Sequence, residues 1–204
     1  MVSIQEAKNF IQYGCNVPSD KLDTAGDLKS YSNDWRIGKY NGPPGYLKAF
    51  NPPKNYTAIG LKVLNCFDGG DNTWLGTTNR EGEWYVGYHG VKSTYAIRQI
   101  IFEGFKKGPG QQEQYSINSN TLNNFSYKQC GEGAYFAQNI NTAEEYASPI
   151  DYNGKKYKVV FMCRVNPKRV KICEKGYGND YMITNGSYDT KDEVRPYRIL
   201  IKKI

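Results

Sequence analysis

The sequence predicts an α+β fold built from antiparallel strands with few helices, and three observations predict it. Hydrophobic residues make up 39% of the 204 residues and aromatic residues 14%, which is enough for one packed core. These residues lie in short runs, and no run approaches the length of a membrane span. Most of the runs are rich in β-branched or aromatic residues and are bounded by turn-forming residues, as strands are.

The first 55 residues are predicted to form an extension that wraps one side of the core. Ser3 followed by Glu6 is a capping box, which predicts a short helix that ends at Gly14. From Val17 to Asn55 the sequence is dense in Pro, Gly, Asn and Tyr. This composition predicts an ordered loop, because aromatic residues keep recurring in it.

Two strands and a helix are predicted next. The segments "YTAIGLKVLNCF" and "EWYVGYHG" are typical of strands. Either Ser93 or Thr94 can cap the following helix, and Gly104 ends it. The apolar residues of that helix share one face: Ile97, Ile100 and Ile101.

The second half of the chain is predicted to consist of a long loop, a short helix and several strands. Residues 106–130 are rich in Gln, Asn and Ser, and we expect them to form a functional lid. "GEGAYFA" is predicted to turn into a strand, and Thr142 to cap the small helix "AEEYA". The predicted strands that follow are "KYKVVFMCRVNP", which has the strongest signal, then "RVKIC", "DYMIT" and "VRPYRILIKKI".

Composition also limits the setting and the partners. A net charge of +7 favours anionic partners such as nucleotides, nucleic acid or acidic protein surfaces. The N-terminus lacks a signal-peptide pattern, and five widely spaced cysteines without a CxxC pair indicate a reducing compartment. We therefore expect a cytoplasmic or nuclear monomer without membrane association.

Several kinds of chemistry are disfavoured by the single histidine, His89. One histidine excludes HExxH and other histidine-rich metal sites, so no metal is expected. A serine or cysteine hydrolase would need His89 as its base, but no G-x-S-x-G elbow is present. Neither GxGxxG nor a Walker loop occurs.

The remaining motifs follow a recognisable order. A strand ending in "YHG" precedes a helix, a long polar loop, "GEGAYFA", a short helix with Tyr146, a strong strand and a terminal hairpin. This order resembles the catalytic domain of the diphtheria-toxin-like and poly(ADP-ribose) polymerase-like ADP-ribosyltransferases. In that family the "GxGxYFA" tyrosine is followed eleven residues later by a second tyrosine, as Tyr135 is here by Tyr146.

The resemblance covers roughly residues 56–204 and implies both a fold and an activity. The implied fold is a split antiparallel β-sandwich of the ADP-ribosyltransferase type, with small helices over the cleft. The implied reaction uses NAD as co-substrate: one ADP-ribose is transferred to a protein or nucleic-acid acceptor, and nicotinamide is released. Residues 1–55 would be an extension of this domain.

The resemblance also implies roles for four residues. The backbone of Gly90 would bind the nicotinamide carboxamide, since glycine has no side chain to obstruct that approach. Tyr135 and Tyr146 would stack on the cationic pyridinium ring. His89 would donate hydrogen bonds to the ribose hydroxyls.

The family's carboxylate is less clear in this sequence. Polymerising members place a glutamate at the head of the penultimate strand, where it stabilises the oxocarbenium-like transition state. Here that strand offers Asp180, whereas an ungapped count from the last strand reaches Asn185, and Glu193 lies in the intervening loop. We favour Asp180 over Asn185. The absence of a clear glutamate favours transfer of a single unit.

A second departure and three alternatives stay open. Ala143 stands where the family often has a serine that touches the carboxamide, and the neighbouring Thr142 could compensate or only cap its helix. The same pocket could use water as the acceptor and act as an NAD glycohydrolase. It could also be a non-catalytic module that binds NAD or ADP-ribose, and the basic surface could bind nucleic acid.

Overall fold

The computed structural model describes residues 1–28, 38–39, 42–46, 50, 53–106, 133–173, 181–184 and 190–204. Three α-helices lie in these ranges: α1 (Ile4–Asn9), α2 (Thr94–Glu103) and α3 (Ile140–Glu145). The strands in the same ranges are β1 (Leu22–Leu28), β2 (Thr57–Leu61), β3 (Tyr85–Val91), β4 (Ala134–Ala137), β5 (Ile150–Tyr152), β6 (Lys155–Val165), β7 (Val170–Cys173), β8 (Tyr181–Thr184) and β9 (Val194–Lys203). The predicted α+β class, mostly antiparallel sheet with small helices, is confirmed.

The strands form one sheet, and two neighbouring strands near its middle are paired at a single pair of residues. The order is β1-β2-β9-β6-β3-β4-β8-β7, with β5 paired to β6, and all of these pairs are antiparallel. Strands β3 and β4 are paired only at Tyr88 and Ala137. The described strands thus form one nine-stranded sheet where a split sandwich was expected. The ADP-ribosyltransferase type stays a prediction.

Both faces of the sheet are covered by apolar side chains, which explains the strong signal of β6. Phe161 of β6 belongs to a cluster that includes Phe10 next to α1 and Ile97 of α2. Met162, the next residue, belongs to a second cluster that includes Ala143 of α3. Because β6 is buried on both faces, it reads as a continuous apolar run instead of alternating.

The terminal strands depart from the predicted hairpin. β8 pairs with β4 and β7, whereas β9 pairs with β2 and β6. The last two strands in the described sequence order thus lie in different parts of the sheet.

Helix α2 follows the prediction closely. The Ser93 side chain accepts a hydrogen bond from the Ala96 amide at 3.1 Å, and Gly104 ends the helix at a φ of 82°. Ile97 and Ile100 are buried and Ile101 is half-buried, as one apolar face requires.

Helix α3 begins earlier than predicted, so the assignment of Thr142 as its cap is wrong. Asn139 has extended backbone angles, and its side chain accepts a hydrogen bond from the Asn141 amide at 2.9 Å. Asparagine caps helices well because its short side chain reaches these first amides. Thr142 lies inside the helix, and Tyr146 is the residue that closes it.

The described part of residues 1–55 packs on the same sheet and core. Ser3 caps helix α1 as predicted, with its hydroxyl accepting from the Glu6 amide at 3.1 Å, and a π-helical segment, Phe10–Gly14, follows the α-helix to the predicted end. Strand β1 lies where a loop was expected, and it pairs with β2 at the edge of the sheet. A Cβ on Gly60 would lie 2.7 Å from the Gly26 Cα, so these two glycines let the strands approach closely. The domain division at residue 55 stays a prediction.

None of the helices in the described ranges is long and apolar enough to cross a membrane.

Candidate functional site

The predicted site residues lie where the sheet divides. Beyond the Tyr88–Ala137 pair, β3 continues through His89, Gly90 and Val91 without pairing to the described part of β4. A continued antiparallel register would place Gly90 opposite Tyr135. We call this interval between residues 89–91 and 134–136 the split.

The imidazole of His89 bridges the split. Its Nδ1 lies 2.9 Å from the carbonyl oxygen of Tyr135, which can only accept a hydrogen bond. Nδ1 must therefore carry the proton, and Nε2 of the neutral ring is an acceptor. The resemblance implied that this histidine donates to ribose hydroxyls, whereas this tautomer would accept from one of them.

The surroundings of His89 favour its neutral form. The ring packs edge-on against Phe105, with centroids 5.0 Å apart, and lies 5.5 Å from the ring of Phe136. Burial against these rings lowers the pKa of His89, and the hydrogen bond to the Tyr135 carbonyl only partly opposes that effect.

Tyr135 and Tyr146 both contact a third tyrosine, Tyr181, which the sequence analysis did not identify. The Tyr181 ring lies edge-on to Tyr135 at 6.0 Å and to Tyr146 at 6.5 Å between centroids. The hydroxyls of Tyr146 and Tyr181 are 3.1 Å apart. Tyr181 is buried, whereas the other two are half-buried. Burial raises the pKa of Tyr135, so its hydroxyl stays protonated at neutral pH.

The imidazole and the tyrosine rings leave the sheet on opposite faces. The neighbours of His89, Phe105 and Phe136, belong to the first cluster, whereas Tyr135 and Tyr146 pack against the second. Alternation along β3 and β4 requires this arrangement. Within the described ranges, the structure joins His89 to Tyr135 through the backbone carbonyl and brings it against neither ring.

Gly90 allows helix α3 to lie directly on strand β3. A Cβ at this position would be 2.1 Å from the carbonyl oxygen of Ala143 and 2.8 Å from the amide nitrogen of Ala147. The Ser148 amide also donates to the Val91 carbonyl at 3.2 Å. The predicted residues Gly90, Ala143 and Tyr146 are therefore brought together, and packing alone already requires a glycine here. Thr142 is half-buried on the same helix.

Helix α3 is fixed at its other side by Glu144, which sequence reasoning did not assign to the site. The Glu144 carboxylate accepts from the Tyr56 hydroxyl at 2.6 Å and from the Lys202 ammonium at 2.7 Å. Lys158 donates to the Glu144 carbonyl at 3.0 Å. Burial alone would raise the pKa of Glu144, but the hydrogen bonds from Lys202 and Tyr56 outweigh it and lower the pKa.

Of the three candidate positions for the carboxylate, the described residues include one. Asp180 and Asn185 lie outside the described residues, as do positions 107–132, which include nearly all of the expected lid and the start of "GEGAYFA". Glu193 is described, and it is buried just before β9. In the part of the chain that the structure describes, no group of three or more potential ligands could hold a metal ion.

No protein-family model matches the chain, and no curated protein sequence matches it.

Proposed function

We propose that the protein is an NAD-dependent mono-ADP-ribosyltransferase that acts on a protein or nucleic-acid acceptor. In this reaction the bond between nicotinamide and ribose breaks and nicotinamide leaves with the electron pair. A nucleophile of the acceptor then forms a new bond to the ribose carbon. The protein's task is to hold NAD and to stabilise positive charge on the sugar.

The observation that carries the proposal is that the sheet divides at the residues of the sequence motif. His89 and Gly90 lie on one side of the split and Tyr135 lies on the other, joined by a 2.9 Å hydrogen bond. Tyr135 and Tyr146 are half-buried, and half-buried tyrosines suit a cationic aromatic ring.

The protonation of His89 fits a positioning role. A neutral imidazole with its proton on Nδ1 offers Nε2 to a ribose hydroxyl and adds no positive charge next to the developing oxocarbenium ion. The carboxylate that would stabilise that ion is Asp180 in this proposal. Glu144 is not available for this task, because Lys202 and Tyr56 already hold its carboxylate.

A non-catalytic module that binds NAD or ADP-ribose is the second candidate, and the composition of β8 favours it. The described strand holds Tyr, Met, Ile and Thr, and its four positions include no carboxylate. If neither Asp180 nor Asn185 supplies the electrostatic stabilisation, the same split can bind NAD without cleaving it.

Release of nicotinamide from NAD tests the proposal. We expect the wild-type chain to release nicotinamide and to move label from NAD onto a protein or RNA acceptor. His89→Ala and Tyr146→Ala should lose most of this activity. Tyr13→Ala is the control, because Tyr13 is 74% exposed, lies outside α3 and the strands that border the split, and should be dispensable.

The alternatives give different results in the same assay. Release of nicotinamide without labelled acceptor indicates an NAD glycohydrolase. No release, but stabilisation by about 2.7 kcal/mol at a hundredfold excess of NAD over its Kd, indicates the binding module. No release and no stabilisation would refute the proposal.

A further inference from the structure

We propose that the exposed face of α2 is a binding surface for single-stranded nucleic acid. Tyr95 and Phe102 lie on this face, with side chains 67% and 38% exposed. They are two helical turns apart, about 10 Å along the axis. The isoleucines of α2 face the core on the opposite side, so these two rings do not serve to anchor the helix.

A cationic group lies between the two rings. Arg98 is exposed and follows Tyr95 by three residues and precedes Phe102 by four, so all three share one side of the helix. Its guanidinium carbon is 4.9 Å from the centroid of the Phe102 ring. From outside the helix, the exposed Lys21 places its ammonium 5.5 Å from the same centroid.

The charges of this face favour an anionic ligand. The acidic residue Glu103 is paired with Lys106, and Asp20 stands exposed beside Lys21. Arg98 and Lys21 are the cations that lie directly over the Phe102 ring. The whole chain carries a net charge of +7, which adds long-range attraction for polyanions.

Aromatic rings alternating with cations fit single-stranded nucleic acid better than a duplex or an acidic peptide. Unpaired bases have exposed π faces that stack on Phe and Tyr, while Arg and Lys neutralise the phosphates between them. A duplex hides those faces, and an acidic peptide made of Asp and Glu would satisfy the cations but leave both rings without partners.

The surface is connected to the split through the end of the same helix. Helix α2 starts three residues after Val91 ends β3, and Phe105, just beyond its end, packs against the His89 ring at 5.0 Å. Bound nucleic acid would thus lie on α2, the helix that directly follows the β3 side of the split. Binding of nucleic acid to this face does not depend on the proposed NAD reaction. Only a role for the bound nucleic acid as the ADP-ribose acceptor rests on that proposed function.

Fluorescence anisotropy with the full chain tests the inference without NAD. The probes are labelled oligouridylate and oligothymidylate of about 20 nucleotides, longer than a typical single-strand site. Tyr95→Ala and Phe102→Ala should each weaken binding by about 5- to 150-fold, the range for loss of one stacked base. Arg98→Ala should also reduce the slope of log affinity against log salt by about 0.7 if it contacts one phosphate.

Matched controls are available at exposed residues outside α2. Tyr13→Ala removes an exposed tyrosine, and Lys156→Ala removes an exposed lysine from the start of β6. Both should bind within about twofold of wild type, since surface sites outside the contact contribute little. Tyr95→Ser repeats the Tyr95 test, and the melting temperature of every variant shows whether it is folded.

Three results would overturn the inference. The first is that no oligonucleotide binds at low salt. The second is that the control variants lose as much oligonucleotide affinity as the α2 variants. The third is that a polyglutamate peptide binds through Tyr95 and Phe102 while oligonucleotides do not bind. If oligonucleotides bind as expected but NAD is not cleaved, the surface stands and the proposed enzymatic function fails.

Discussion

The imidazole of His89 connects a protonation state to the geometry of the split. The hydrogen bond to the Tyr135 carbonyl assigns its proton to Nδ1, and the neighbouring phenylalanine rings disfavour a second proton. In the charged ring Nε2 also carries a proton and donates. Protonation would therefore change Nε2 from a hydrogen-bond acceptor to a donor toward a ligand.

The pKa of His89 is directly measurable, because the chain has one histidine and therefore one set of imidazole proton resonances. We expect an NMR titration midpoint below about 6.5, the usual value. Since the native state resists protonation more than the unfolded state, the free energy of unfolding should fall as the pH drops below that value. His89→Gln should weaken this dependence, and a midpoint at or above 6.5 would contradict the geometry.

The Tyr181 hydroxyl is predicted to hold the ring of Tyr146. Tyr181→Phe keeps the edge-on ring contacts but removes the 3.1 Å bond between the hydroxyls. We expect NAD affinity, measured by calorimetry, to fall about fivefold, which corresponds to a net hydrogen bond of about 1 kcal/mol. Tyr13→Phe should leave affinity unchanged, and an equal effect in both variants would remove Tyr181 from the site.

Tyr146 closes helix α3, and contacts at Gly90 and Glu144 help to fix this helix on the sheet. Gly90 admits the helix backbone on one side, and Glu144 ties it to Lys202 and Tyr56 on the other. The position of Tyr146 therefore depends on residues that are not themselves expected to touch a ligand.

Loss of the Glu144 carboxylate should loosen this helix. Glu144→Gln should lower the free energy of unfolding by about 1.5 to 3 kcal/mol, the range for hydrogen bonds to charged groups. Urea denaturation provides the measurement. Glu145→Gln is the control, because Glu145 is the exposed neighbour and should change stability by less than about 0.5 kcal/mol.

The stabilisation that the Glu144 carboxylate provides should depend on pH in one direction. The lowered pKa of Glu144 means that its stabilisation is present above its ordinary pKa and is lost as the pH falls. The difference between wild type and Glu144→Gln should therefore shrink under acidic conditions. A difference that grows on acidification would show that Glu144 is not ion-paired.

Substitution of Gly90 tests the close packing of α3 on β3. In Gly90→Ala the new methyl group would meet backbone atoms, which cannot move as a flexible side chain can. We expect a loss of about 1 to 3 kcal/mol in the free energy of unfolding, typical of overpacking. The exposed Lys156→Ala serves as the reference, and stability equal to that reference would contradict the packing described.

Elements with strong local signals could be predicted, and those that depend on partners could not. Strand β6 is a run of β-branched and aromatic residues, and α2 has a cap, an apolar face and a terminating glycine. Strand β1 is "LDTAGDL", a poor strand sequence that is extended because it pairs with β2. Strand β5 was missed although its Asn153–Gly154 turn, with both residues at positive φ, is a hairpin signal.

At the scale of the whole molecule, strand order was the least predictable feature. The sequence identified β7, β8 and β9 as strands, but the pairing of β9 with β2 and β6 involves contacts between distant parts of the chain. Local pattern carries no information about such pairs. The predicted terminal hairpin failed for this reason.

The site was predictable only where a spaced motif marked it. Two sequence features pointed to residues that lie at the split or beside it. These are the spacing between Tyr135 and Tyr146 and the His89–Gly90 pair. Tyr181 and Glu144 had no such mark, because their contacts cross 35 residues to Tyr146 and 88 residues to Tyr56. Residues of this kind are found only when the fold brings their partners together.

The most direct test of the account is a crystal structure of the full chain with nicotinamide or NAD bound. We predict that the nicotinamide ring lies in the split, with its carboxamide on the Gly90 backbone and its face against Tyr135 or Tyr146. Nicotinamide bound elsewhere on the molecule, or no bound ligand at saturating concentration, would contradict the account.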